Sequence, residues 1–132
     1  RAFAQNLYDE GADIVLPVAG PVGLGSASLA AELGNDKLKI IGVDADMTKT
    51  DPTRKEVYLT SILKHMDVTT LSVIEEVKSG NFSGGVMVGT LENGGVGLAP
   101  FHSLADAVPS DLSAEIEEIR KGIISGSIVM NK

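Results

Sequence analysis

The sequence has 132 residues, 43% of them hydrophobic and 22% charged, which is enough for one globular domain with a core of its own. Aromatic residues make up only 4%, so the core should be aliphatic. The net charge of −7 argues against a nucleic-acid partner, because phosphate-binding surfaces need clustered lysine and arginine. The lack of cysteine excludes disulfides and thiolate metal sites, and no apolar run is long enough to cross a bilayer.

The first part of the chain predicts a helix, a strand, a turn and a second helix. Apolar residues at helical spacing predict the first helix from Arg1 to Glu10. A run rich in β-branched residues, Asp13 to Val18, predicts the first strand. The turn from Ala19 to Gly25 then leads into a helix from Ser26 to Leu33.

Three glycines in this turn, Gly20, Gly23 and Gly25, let the backbone come close to a ligand or to packed neighbours. Their spacing matches neither the G-x-G-x-x-G dinucleotide fingerprint nor the phosphate-binding loop that ends in Gly-Lys-Ser/Thr. From the residues alone, a tight turn without a ligand and a ligand-binding loop both stay open.

The central stretch brings charged residues to the ends of two predicted strands. Leu38 to Val43 predicts a buried strand, with Asp44 and Asp46 beyond its carboxyl end, where open α/β sheets bind their ligands. A polar loop joins it to a second short run that leads to Lys64. The loop covers Met47 to Lys55 and the second run Glu56 to Thr60. The acids and the lysine could converge on one polar ligand. Alternatively, the acid caps a turn in a surface loop and the lysine is solvated.

The next part of the chain predicts a helix, a strand and a hairpin-type turn. Asp67 is a suitable N-cap for a helix that ends at Ser79. The helix carries an apolar stripe formed by Val68, Leu71, Ile74 and Val77. A strand at Gly85–Gly89, a turn at Glu92–Gly95 and a strand at Val96–Ala99 follow.

The last part of the chain predicts a loop and one amphipathic helix. The loop runs from Pro100 to Pro109, and Ser110 is a suitable N-cap. Apolar residues then step by four, three and four positions up to an end near Ser125–Gly126: Leu112, Ile116, Ile119 and Ile123. Strands that alternate with helices predict a three-layer α/β fold, with a mostly parallel sheet and helices on both faces.

Catalytic and metal-binding patterns are weak. His65 and His102 lie far apart in the sequence, and neither is near a G-x-S-x-G nucleophile elbow. Asp44, Asp46 and Asp51 miss the spacing of a calcium-binding loop. The sequence therefore predicts a protein that is not an enzyme, with no catalytic residues, no metal site and no cofactor.

Several motifs follow one another in the order of a known family. They are Gly11–Val15, Gly20–Gly25, Gly42–Asp46, Leu59–Asp67 and Gly94–His102. Together they resemble the basic membrane protein family of substrate-binding lipoproteins, whose members are similar to the nucleoside receptor of an ABC importer. Members of that family are more than twice as long. The resemblance therefore implies that residues 1–132 form a single, incomplete carboxyl-terminal lobe of a type I periplasmic-binding-protein-like fold, without its amino-terminal lobe.

The resemblance also implies a ligand site between the two lobes, formed on this side by Gly20, Asp44, Asp46 and Lys64. An ionised carboxylate can accept hydrogen bonds from two vicinal ribose hydroxyls, and a nearby lysine can donate to a ligand oxygen. We therefore expect Asp44 and Lys64 to lie close together, with Asp46 farther out. The aromatic residues that stack on the base are expected in the missing lobe.

The implied function is that of a substrate-binding component that delivers a nucleoside, with a purine nucleoside expected, to an ABC permease. It would work outside the cytoplasm, as a membrane lipoprotein whose anchor lies outside this chain or as a periplasmic protein. Two alternatives stay open: the same fold with a flavin or sugar ligand, and a Rossmann-type nucleotide-dependent enzyme domain. Because the helix Asp67–Ser79 would lack its native partner, we expect a homo-oligomer with this helix, or Asp111–Ile124, at the interface.

Overall fold

The computed structural model describes residues 1–18 and 20–130, so the first residue of the predicted glycine turn, Ala19, lies outside the described residues. The α-helices are α1 (Ala2–Asp9), α2 (Gly23–Leu33), α3 (Met47–Thr50), α4 (Met66–Ser79) and α5 (Leu112–Ser125). The strands are β1 (Ile14–Val15), β2 (Lys39–Asp44), β3 (Tyr58–Lys64) and β4 (Val96–Leu98). Short 3₁₀ helices cover Gly20–Val22, Pro52–Val57 and His102–Ala107.

The strands form one sheet in the order β1-β2-β3-β4. The β1–β2 and β2–β3 pairs are parallel, with Val15 opposite Ile40 and Asp44 opposite Leu63. Helices connect these parallel strands, which confirms the α/β class. Because parallel strands end at the same edge of a sheet, the carboxyl ends of β1 and β2 share one edge.

The chain divides into two compact units. The first unit comprises Arg1–Leu63 and Leu98–Val108, and the second comprises Lys64–Gly97 and the chain from Pro109 onward. The helix that follows the lysine strand, α4, belongs to the second unit. The assignment of the whole chain to a single lobe stays a prediction.

The core of the first unit is largely aliphatic. Ile40 enters it from β2, Leu38 from the turn before β2 and Leu29 from α2. Each of these side chains is at most 2% exposed. Small residues of α1 and α2 pack beside them, among them Ala4, Ala27 and Ala30. The largest buried side chain is aromatic, however: Tyr58, at the start of β3.

Tyr58 is buried together with a carboxylate. Its hydroxyl donates to Asp51 Oδ2 at 2.8 Å, and Arg54 Nε donates to the same oxygen at 2.8 Å. Thr53 Oγ1 donates to Asp51 Oδ1 at 2.9 Å. Burial by itself would raise the pKa of Asp51, but the hydrogen bonds from Tyr58, Thr53 and Arg54 together lower it. Burial, and then the bond to Asp51, raise the pKa of Tyr58.

The described apolar side chains of the second unit are all at least partly exposed. Neither α4 nor α5 has a buried residue. The predicted stripe on α4 is between 40 and 58% exposed: Val68, Leu71, Ile74 and Val77. Both helices end where the sequence predicts, because Gly80 and Gly126 adopt the left-handed conformation of a helix C-cap.

Two predicted loops prove to be helical. The stretch Met47–Lys55 contains α3 and the 3₁₀ helix Pro52–Val57. The first is capped by Asp46, and the second begins at a proline, whose fixed φ suits a helix start. The loop Pro100–Pro109 contains the 3₁₀ helix His102–Ala107.

Other local predictions are wrong in part. The stretch Gly85–Gly89 is not a strand. At its end, the side chain of Asn93 donates to Val88 O at 2.8 Å and accepts from Thr90 N at 2.8 Å. The N-cap of α4 is His65, two residues before the predicted Asp67, and the N-cap of α5 is Asp111, one residue after the predicted Ser110. Neither cap makes a side-chain bond to its helix.

Candidate functional site

Asp44 ends β2 in a backbone conformation that few residues other than glycine adopt, with φ at 73°. The next amide, Ala45 N, donates to Val43 O at 3.0 Å. An i to i+2 hydrogen bond around a residue with positive φ defines a tight γ-turn, which is rare and strained. Such strain is concentrated at binding and catalytic sites, and here it falls on a half-buried carboxylate at the carboxyl end of a strand.

A cavity of about 310 Å³ lies at this end of the first unit. Its walls come from the segment after β1, from β2 and α3, and from Tyr58. Its lining residues include Gly20, Leu24, Ile40, Asp44, Met47 and Tyr58. A volume of this size suits a small ligand, and the site combines a mostly apolar wall with one acid, as small-molecule sites commonly do. Two of the predicted site residues, Gly20 and Asp44, thus line one cavity.

Gly42 sets the position of one cavity wall. A Cβ atom at this position would overlap Met47 Cγ and Ser61 Oγ, so only glycine lets α3 approach β2 this closely. The approach is fixed by a hydrogen bond from Met47 N to Ser61 Oγ at 3.1 Å. Met47 in turn lines the cavity. Sequence reasoning placed Gly42 only within the family motif and did not predict this contact.

Asp46 lies outside the cavity lining and caps α3. Its Oδ1 accepts from Thr48 N at 3.2 Å and from Thr48 Oγ1 at 2.7 Å. Lys49 Nζ lies 3.4 Å from Oδ2, and His102 Nε2 lies 3.1 Å from the same oxygen. Burial by itself would raise the pKa of Asp46, but Thr48, His102 and Lys49 together lower it. The role of Asp46 in ligand binding stays a prediction.

Lys64 is the last residue of β3 and directly follows Leu63, which lies opposite Asp44 in the sheet register. Lys64 belongs to the second unit and Asp44 to the first, and their proximity stays a prediction. Within the second unit, Lys64 lines a separate cavity of about 570 Å³, together with His65, Thr69 and Thr70.

Tyr58 is an aromatic cavity residue that the sequence did not predict. The aromatic residues that stack on the base were expected in the missing lobe. Tyr58 does not test that expectation, because it belongs to this chain. The available signal was the place of Tyr58 in a β-branched and aromatic run next to the strand that carries Asp44. Its hydroxyl is held by Asp51, so its ring lines the cavity in one orientation.

Within the described residues, no helix is both long and apolar enough to cross a membrane. The same residues contain no group of three or more His, Asp or Glu side chains placed to hold a metal ion.

Comparison with known proteins identifies the family. The family model described as "ABC transporter substrate-binding protein PnrA-like" matches residues 1–132. The chain belongs to the PnrA-like family. This confirms the resemblance to basic membrane proteins drawn from the motifs, since relatives of the chain include proteins named "Basic membrane protein A1" and "Basic membrane protein A".

Individual PnrA-like relatives agree with this assignment. The chain is 31% identical over 142 residues to the "CD4+ T-cell-stimulating antigen" of Listeria monocytogenes, covering 97% of the chain and 38% of that protein. It is 30% identical over 142 residues to the "ABC transporter nucleoside-binding protein BmpA" of Lactococcus lactis, covering 98% of the chain and 39% of that protein. The solved structure of an ABC transporter solute-binding protein from Conexibacter woesei superposes with a TM-score of 0.75 at 26% identity, over 97% of the chain and 40% of that structure.

The chain therefore spans 38% of the Listeria relative's length and 39% of the Lactococcus relative's length.

Proposed function

We propose that the protein is the substrate-binding component of an ABC importer and that it binds a nucleoside, for which this chain supplies the Gly20–Asp44 cavity. The observation that carries the proposal is the half-buried, strained carboxylate of Asp44 at the end of β2, facing a cavity of about 310 Å³. The printed name of the Lactococcus lactis relative, a nucleoside-binding protein, supports the ligand class.

The chemistry of the cavity suits a ribose. A carboxylate can accept hydrogen bonds from two vicinal hydroxyls at once, and charge-assisted bonds of this kind are stronger than bonds between neutral groups. The γ-turn fixes the Asp44 backbone, so the carboxylate needs little reorganisation when the sugar binds. Leu24, Ile40 and Met47 provide apolar surface beside it for the uncharged faces of the ligand.

Family membership supports the finer parts of the proposal. The ligand is a purine nucleoside, the partner is an ABC permease, and the protein works outside the cytoplasm, anchored as a lipoprotein or free in the periplasm. Lys64 donates to a ligand oxygen, and a lobe outside this chain provides the stacking aromatic residues and encloses the base.

Calorimetric titration of the full-length protein with a panel of ligands tests the proposal. The panel comprises inosine, guanosine, uridine, ribose and riboflavin. We expect the purine nucleosides to bind more tightly than uridine, and ribose to bind weakly because it lacks a base. Binding of riboflavin or ribose in preference to every nucleoside would contradict the nucleoside assignment, although the fold assignment would stand.

A further inference from the structure

We infer that His102 is a positioning residue for the ligand cavity, and that its charge tunes how firmly the turn after β2 is held. The inference about ligand affinity rests on the proposed function, whereas the inference about the contact itself does not. It comes from a chain of hydrogen bonds that connects His102 to the cavity wall inside the first unit.

The first link is between His102 and Asp46. The imidazole Nε2 lies 3.2 Å from Asp46 Oδ1 and 3.1 Å from Asp46 Oδ2, so one ring nitrogen faces both carboxylate oxygens. The two side chains are 30% and 11% exposed, which leaves the carboxylate little access to water. The residues are 56 positions apart in the sequence, and the contact therefore joins two distant segments.

The second link is between Asp46 and the cavity. Asp46 holds the start of α3 by accepting from both the backbone and the hydroxyl of Thr48. The first residue of that helix, Met47, lines the cavity and donates its amide to Ser61 Oγ. Asp46 also lies only two residues after Asp44, so a shift of Asp46 would move the turn that presents the ligand-binding acid.

The segment that carries His102 is itself firmly attached. Ala99 N donates to Ser61 O at 2.9 Å, and Thr60 Oγ1 donates to Ala99 O at 2.6 Å. Leu104 is buried two residues beyond His102. His102 adopts a positive φ of 46°, which is uncommon for a residue with a side chain. A strained backbone between two anchors indicates that the imidazole is held against Asp46 by the surrounding structure.

The charges around His102 determine the sign of its effect. Asp46 faces it directly, and Lys49 approaches the same carboxylate from α3. Lys55 and Glu56, from the 3₁₀ helix before β3, line a polar cavity of about 190 Å³ together with His102. A protonated imidazole adds an ion pair to the hydrogen bond with Asp46, whereas a neutral imidazole keeps only a donor. The turn is therefore held more firmly when the imidazole is protonated.

The test uses three variants of the full-length protein. His102→Ala removes both the donor and the charge, and His102→Gln keeps a donor near the position of Nε2 but carries no charge. Lys37→Gln is the matched control, since it removes a positive charge from an exposed side chain of the first unit outside the Gly20–Asp44 cavity. Inosine affinity is measured between about pH 5.5 and 8, the range in which histidine changes its charge. The titration of the Asp46 carboxyl carbon is followed by NMR without ligand.

We expect His102→Ala to weaken inosine binding about fivefold, the loss of roughly one hydrogen bond. His102→Gln should restore most of that affinity but lose the wild type's tighter binding at low pH. In both variants the carboxyl of Asp46 should titrate at higher pH than in the wild type, and Lys37→Gln should leave the affinity and this titration unchanged.

Two results would overturn the inference: an unchanged titration of Asp46 in His102→Ala, or a wild-type pH profile of affinity in His102→Gln. If the wild type binds no nucleoside, the proposed function fails, while the titration of Asp46 still decides whether the contact exists.

Discussion

At the scale of single residues, the candidate site depends on Asp44 and Gly42. Asp44 is the half-buried acid of the cavity, held in a γ-turn at the end of β2. Gly42, two residues earlier, allows Met47 and Ser61 to come together behind the cavity wall. The acid and the shape of its surroundings are thus set by neighbouring positions of one strand.

Replacement of Asp44 by alanine in the full-length protein should cost about 1.5–3 kcal/mol of nucleoside affinity, the range for hydrogen bonds to a charged group. The loss should be specific, so Asp36→Ala, which removes an exposed acid in the turn before β2, serves as the control. Calorimetry measures both. Unchanged affinity in Asp44→Ala would exclude Asp44 from the site.

Replacement of Gly42 by alanine should lower the free energy of unfolding by about 1–3 kcal/mol, because the added methyl group would overpack the contact with Met47 and Ser61. The control is Gly84→Ala, where an added Cβ has nothing within 4 Å and φ is not positive. Urea denaturation of both variants measures the difference. Equal stability of the two would show that α3 can move away from β2 without loss.

The place of Asp44 could be predicted from the sequence, but its conformation could not. A β-branched run followed by an acid places that acid at a strand end, and the glycine-rich turn after β1 points to the same edge of the sheet. The γ-turn, the packing of Gly42 and the contact from His102 depend on residues distant in sequence. Periodicity and spacing carry no information about such contacts.

At the scale of elements, the chain between β2 and β3 is helical rather than a loop, and it carries a buried carboxylate. Asp51 accepts three hydrogen bonds there and keeps Tyr58 against the cavity. Local sequence signals missed these short helices, because α3 has four residues and the other is a 3₁₀ helix. The longer periodic helices α4 and α5 were predicted to within one residue at their carboxyl ends.

The lowered pKa of Asp51 has a consequence for stability at acid pH. A carboxyl whose pKa is lower in the folded state stabilises the protein above its unfolded pKa of about 3.9, and this contribution is lost as the pH falls through the folded value. We therefore expect the wild-type free energy of unfolding to fall steeply below about pH 4, and less steeply in Asp51→Asn. Denaturation curves at several pH values measure this slope, with Asp36→Asn as the control. An identical slope in Asp51→Asn and the wild type would contradict the role of Asp51.

At the scale of the whole molecule, the two units differ in how much apolar surface they bury. The first has an aliphatic core around Leu38 and Ile40, whereas the described apolar side chains of the second remain at least partly exposed. Exposed apolar surface favours association at about 25 cal/mol per Å². The sequence could predict the apolar stripe on α4 but not the surface that packs against it. Helical periodicity identifies an apolar face and carries no information about the partner of that face.

The isolated 132-residue chain should therefore self-associate through α4 or α5 and bind nucleoside weakly, since half a site cannot enclose its ligand. Leu71→Glu, in the middle of the stripe, should weaken association. Lys78→Gln changes the net charge by the same amount but lies outside the stripe, so it should leave association unchanged. Sedimentation velocity compares them. A monomeric wild type at high concentration would contradict the association, and tight nucleoside binding by that monomer would contradict the half-site.

A crystal structure of the full-length protein with a bound purine nucleoside tests most directly whether Asp44 binds the ligand. We expect the ribose to lie in the cavity beside Gly20, with its vicinal hydroxyls donating to the carboxylate of Asp44. A nucleoside bound elsewhere, or bound in this cavity with Asp44 making no hydrogen bond to the sugar, would contradict it.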